Sequence, residues 1–167
     1  MPAKKTTAPK TASKRAAMKL AEALVLRADC QKRIEQLKQR LVRVAKVQEG
    51  DRPAEDPDAL LRQLDDVSQE LLTLIQRINR TNSATRLGPR TISDAIAERD
   101  VLRIRSTAYR ELAAGAAVTQ GRTTKSEVKF RSTVNIAAIQ KKADEMAKEH
   151  RDLDAAIQEA NWRTNLS

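Results

Sequence analysis

Between Leu60 and Asn82 apolar side chains recur at Leu60, Leu64, Val67, Leu71, Leu74 and Ile78, with spacings of 4, 3, 4, 3 and 4. Such spacing holds one helical face for about five turns. A second row, Leu61, Leu72 and Ile75, runs beside the first, so this helix requires more than one neighbour. The polar run Asn79 to Ser83, followed by Gly88-Pro89, predicts that the helix stops near Asn82. At its other end Asp56 is placed to act as N-cap, with Pro57 at the first helical position and Asp58 favoured by the helix dipole.

Three further helices follow from the same pattern. From about Ala16 to Gln48, Leu20, Ala23, Cys30, Ile34, Leu37, Leu41 and Val44 keep heptad spacing, with Arg27 the one intruder. Gly50, Asp51 and Pro53 break this helix, and so short a loop makes the first two helices antiparallel neighbours. Thr91 with Asp94 resembles a capping box and opens a third helix with Ile92, Ile96, Leu102, Tyr109 and Leu112 on its seam, interrupted by Arg99 and Arg103. This helix is expected to end between Gly115 and Gly121. Residues 122–134 alternate, with Val128, Phe130 and Val134 separated by charges, which predicts an extended connection with a short strand near 125–134. Asn135 then caps a fourth helix whose seam is Ile136, Ile139, Ala143, Met146, His150, Leu153, Ile157 and Ala160. The expected fold is all-α, an antiparallel long-helix bundle or a pair of extended helical hairpins, formed as one domain by residues 18–167.

Composition supports this class: 32% of residues are charged and 2% aromatic, a balance typical of long helices. The net charge of +10 is unevenly placed. Residues 1–17 hold Lys4, Lys5, Lys10, Lys14 and Arg15 with no acid. They bury too little apolar surface to fold, so a disordered basic tail is expected, acting either as an electrostatic arm for nucleic acid or as a solubilising extension. Met18 begins a different kind of sequence and reads as an alternative start. The lone Cys30 lies on an apolar seam and reads as a small core residue. No run approaches the length of a membrane span, and the N-terminus lacks the apolar stretch of a signal peptide, so a cytoplasmic protein is expected.

Enzyme signatures are absent: there is no glycine-rich phosphate loop, nucleophile elbow or metal-ligand cluster, and no cofactor is implied. His150 lies on a seam, and the residue three before it is Ala147, which does not fit the Glu-x-x-His pattern of di-iron bundles. Scattered Tyr109, Phe130 and Trp162 make no stacking platform for single strands, although Arg99, Arg103, Arg105 and Arg110 make the third helix basic. Two helix ends resemble each other: Leu71, Ile75, Gln76, Asn79 and Thr81-Asn82 match Leu153, Ile157, Gln158, Asn161 and Thr164-Asn165. With alternating direction these ends coincide. Asn79, Asn82 and Asn161 are then expected to share a polar layer that Arg99 and Asp100 join and Trp162 covers, serving either as a binding site or as an amide network that fixes register.

The runs MKLAEALVLRADCQKRI from Met18, INRTN from Ile78, ERDVLR from Glu98, KFRSTVNIAAIQKKADE from Lys129 and IQEANW from Ile157 resemble a small bacterial family of long-helix proteins named after a diphtheria-bacillus protein. INRTN and IQEANW are the most specific, and the resemblance spans about residues 18 to 166. It implies the helical fold and no particular activity. Members have carried the label septicolysin, which implies membrane damage; without a signal peptide or spanning segment this chain disfavours that reading. The sequence therefore points to a non-enzymatic, self-associating helical scaffold, a homo-oligomer through its second apolar rows. The rival is a nucleic-acid-associated protein that uses the basic tail on an oligomeric helical body.

Overall fold

A computed structural model describes residues 17–117 and 131–167. Its elements in chain order are α1 (Leu20–Val44), α2 (Pro57–Ala84), β1 (Arg86–Leu87), β2 (Arg90–Thr91), α3 (Ile92–Ala116) and α4 (Ile136–Arg163). The basic residues Lys4, Lys5, Lys10, Lys14 and Arg15 lie outside the described residues, as does most of the segment expected to hold a strand near 125–134. The described part of that segment turns on Ser132, whose hydroxyl accepts from the Val134 N–H and donates to the Val134 carbonyl.

The helices begin where the sequence offers caps. Asp56 accepts from the Asp58 N–H (3.0 Å), with Pro57 in the first turn. Asn135 accepts from the Ala138 N–H (3.0 Å). Thr91 and Asp94 form the reciprocal box: Thr91 Oγ1 accepts from the Asp94 N–H at 3.1 Å, and Asp94 Oδ2 accepts from the Thr91 N–H at 3.2 Å and hydroxyl at 2.6 Å. These hydrogen bonds hold the Asp94 carboxyl below its usual range.

α1 and α2 pack as one antiparallel hairpin. Leu20, Ala23, Cys30, Leu37 and Val44 are buried against Leu60, Val67, Leu74 and Ile78, with Ile34, Leu41, Leu64 and Leu71 packed around them. α3 and α4 form the second hairpin on a different principle. α3 buries Ala95, Leu102, Ser106 and Ala113, while α4 buries Ala143 and Ile157. With small residues on both sides the backbones approach closely, and Ser106 Oγ donates to the Ala143 carbonyl at 3.1 Å.

The two hairpins join at one end. From α3, α4 and the segment after α4, the core of the first hairpin receives only Ile92, Ile96, Ala160 and Leu166. The junction is clasped by Thr164–Ser167. Leu20 N–H donates to the Thr164 carbonyl (2.9 Å), Leu166 N–H donates to the Met18 carbonyl (2.8 Å), and Lys19 and Asn165 form an antiparallel bridge. Leu166 is thereby buried between the helix ends. This pairing also explains why α1 starts at Leu20 and not near Ala16: the backbone at Lys19 is extended, and the Met18 carbonyl is taken up by the clasp.

α2 likewise runs past its predicted stop. The polar run Asn79 to Ser83 remains helical because Thr81 faces the junction, where its hydroxyl donates to the Arg77 carbonyl (2.9 Å) and lies 2.9 Å from the Ser167 hydroxyl. The helix ends at Ala84, two residues past the predicted stop, and the Thr85 carbonyl accepts from the Ile92 N–H (3.0 Å). Between these residues β1 and β2 pair, Arg86 with Thr91 and Leu87 with Arg90. Gly88 has φ +62°, as the first central residue of a two-residue type II′ loop requires.

Candidate interaction surface

At the junction the structure brings some of the predicted polar residues together and separates others. Arg99 Nη2 donates to Asp100 Oδ1 at 2.8 Å, and Arg99 Nη1 donates across to Asp154 of α4 at 3.0 Å. Desolvation works against the Arg99 charge, but the bonds to Asp100 and Asp154 outweigh it and hold the guanidinium above its ordinary pKa. Arg99 thus belongs to the packing between α3 and α4 and is no accident of an interrupted seam. Asp154 was not foreseen, since its partner lies 55 positions away.

Asn161 is buried and Asn82 half-buried, whereas Asn79 is exposed, and no hydrogen bond joins Asn79 to Asn161. The reason is angular: with Thr81 turned inward, the residue two positions earlier faces roughly the opposite way. Trp162 is 61% exposed and does not cover the layer, because its neighbour Asn161 takes the inward position. The polar contacts at this end instead run through the clasp. Lys19 Nζ donates to Asn165 Oδ1 (2.8 Å) and to the Arg163 carbonyl (3.1 Å), and Arg77 Nε donates to the Ser167 carbonyl (3.0 Å).

Along the first hairpin a polar groove of about 320 Å³ is lined by Arg33, Arg40, Arg43, Gln36, Gln39 and Gln63. Arg40 is held by Glu55, whose carboxyl this hydrogen bond keeps below its usual range, and Arg33 lies 3.6 Å from Glu70. Nearby, burial first and Glu70 second push the Cys30 thiol up, which disfavours the reactive thiolate. Among the described residues no group of three His, Cys, Asp or Glu side chains is placed to hold a metal ion, and no helix is long and apolar enough to cross a membrane.

The most distinctive surfaces are apolar. On α2 the second row is exposed at Leu61 and Leu72 and half-buried at Ile75. α3 carries a longer stripe that the sequence reading missed: Ala97, Val101, Ile104, Ala108 and Leu112, all exposed, with Val101 at 52%, Ile104 at 62% and Leu112 at 46%. Leu112, assigned above to the core seam, lies on this outer stripe, and Ala113 takes the buried position beside it. The spacings of 4, 3, 4 and 4 are legible in the sequence, but the alanines that fill the inner face carry too little hydrophobic signal to mark which face is buried.

Two antiparallel helical hairpins clasped at one end, with apolar stripes exposed on outer faces of α2 and α3, define an all-α protein. Residues 27–166 match the model of a family described as "Family of unknown function (DUF6847)", and the chain belongs to that family. It is similar to the protein in a crystal structure titled as a functionally unknown conserved protein from Corynebacterium diphtheriae, at 45% identity and a TM-score of 0.85, over 90% of this chain and 99% of the other. No curated protein matches the chain.

Proposed function

We propose that this protein is a non-enzymatic helical scaffold that self-associates. The observation that carries the reading is the set of large apolar side chains on outer helix faces: Leu61 and Leu72 on α2, and Val101, Ile104 and Leu112 on α3. Single exposed apolar residues are ordinary, but a stripe at helical spacing is what an unpartnered helix-packing surface looks like. Sedimentation velocity across a concentration series tests it. A coefficient that rises with concentration supports the reading, and one that stays at the monomer value throughout overturns it.

A second reading rests on charge: five cations and no carboxylate in residues 1–17 favour a nucleic-acid-binding arm. Five phosphate contacts give a slope of log affinity against log salt no steeper than about −4 to −5. Comparing the full chain with one beginning at Met18, on two unrelated duplexes across a salt series, tests this reading. Equal binding by both versions removes the arm from the mechanism.

A further inference from the structure

The geometry points to a particular occupant for the α3 stripe: α3 of a second copy of this chain, packed antiparallel about a two-fold axis. The inference rests on the self-association proposed above and specifies its surface and direction. At 3.6 residues per turn, Ala97, Val101, Ile104, Ala108 and Leu112 form a band roughly 140° around the helix from the buried row of Ala95, Leu102, Ser106 and Ala113. The band is about 22 Å long. It sets the large side chains of Val101, Ile104 and Leu112 among the small Ala97 and Ala108, which gives a facing helix both ridges and gaps to pack into.

Charge along the helix decides the direction. Residues 92–100 hold Asp94, Glu98 and Asp100 against one Arg99, while residues 101–116 hold Arg103, Arg105 and Arg110 against one Glu111. α3 is thus acidic in its first half and basic in its second. Glu98 and Arg105 lie two turns apart on the same edge of the stripe, and both are exposed. Antiparallel two-fold packing sets each edge against the same edge of the other copy, reversed. When Val101 of one copy faces Ile104 of the other, Ala97 faces Ala108, and Glu98 comes beside Arg105 of the second copy at two symmetric places. Glu98 already pairs with Arg90 but keeps half its side chain exposed, which leaves room for a second guanidinium. Parallel packing would instead join opposite edges and bring Glu98 toward Asp100, setting like charges together.

The test is light-scattering mass and dissociation constant for the full chain and a small set of variants, with helicity checked by circular dichroism. Ile104→Asp is expected to shift the protein to monomer with helicity unchanged, since Ile104 is exposed in the protomer. Ala108→Glu repeats the test should Ile104→Asp misfold, and Leu72→Asp tests the α2 row in the same way, as the rival surface. Glu98→Arg and Arg105→Glu should each weaken association several-fold at low salt, and the double swap should restore it. An association that survives Ile104→Asp and Ala108→Glu but is lost in Leu72→Asp overturns this surface while leaving self-association intact. Monomerisation by Ile104→Asp without restoration by the double swap overturns the antiparallel direction. A native chain that is monomeric at every concentration overturns both the surface and the reading it rests on.

Discussion

Replacing Leu166 with Ala should loosen the clasp that joins the two hairpins. Leu166 is 7% exposed and is the side chain through which the segment after α4 enters the core of the first hairpin. Removing a buried Leu side chain to Ala costs about 2–5 kcal/mol, transfer and cavity terms together. The backbone here is a short segment held by Leu166 N–H to the Met18 carbonyl and Thr164 carbonyl to the Leu20 N–H, so it can settle partly into the space left behind. The lower half of the range, about 2–3 kcal/mol, is therefore expected. Set against a typical total of about 5–15 kcal/mol, this is a large fraction. Asn165→Ala is the control: it removes an exposed bond from Lys19 Nζ and should cost no more than about 0.5 kcal/mol. Urea unfolding followed by far-ultraviolet circular dichroism measures both. Protein concentration must be equal throughout, because association stabilises the folded chain by mass action. A Leu166→Ala variant within about 0.5 kcal/mol of the native chain would refute the clasp as a stabilising element.

Three further outcomes follow from the packing. Ser106→Ala should cost about 1 kcal/mol for the lost hydrogen bond to the Ala143 carbonyl, whereas Ser106→Leu should cost more by forcing the close α3–α4 contact apart; equal costs in thermal unfolding would contradict the close approach. A double-mutant cycle of Arg99→Ala with Asp154→Ala should show coupling of at least about 0.5 kcal/mol, and simple additivity would break the proposed link between the helices. Thr91→Ala should cost about 1 kcal/mol as a lost N-cap. Because Thr91 lowers the Asp94 pKa from 3.8, Asp94 stabilises the fold above that value, and the gain is lost as pH falls through the depressed folded pKa. In Thr91→Ala the stability profile over this acid window should flatten, and an unchanged profile would contradict the box.

Much of this fold is legible locally. Every position of the fourth seam, from Ile136 to Ala160, is buried or half-buried, because one uninterrupted helix face needs only one periodicity. The caps at Asp56, Thr91 and Asn135 are also legible, since each partner lies within three residues. The features that were not legible depend on distant partners. Lys19 leaves the helix because of Asn165, 146 positions away, and Arg99 looks like a flaw in a seam until Asp154 is placed beside it. The inner face of α3 is weakly marked in the sequence because Ala95, Ser106 and Ala113 carry little hydrophobic signal, although close helix packing selects such residues. With the inner face so weakly marked, nothing in the sequence tells that Val101, Ile104 and Leu112 lie on the outer face. The expected polar layer failed on orientation: sequence similarity between the two helix ends did not fix which way Asn79 and Trp162 would turn.

The most direct measurement of the central claim is the light-scattering mass of the native chain beside Ile104→Asp, from micromolar concentration down through serial dilution. Self-association through α3 predicts that the native mass exceeds the 18.6 kDa of one chain and falls toward it on dilution, while Ile104→Asp remains at one chain mass throughout. A native mass of one chain at every concentration would contradict it.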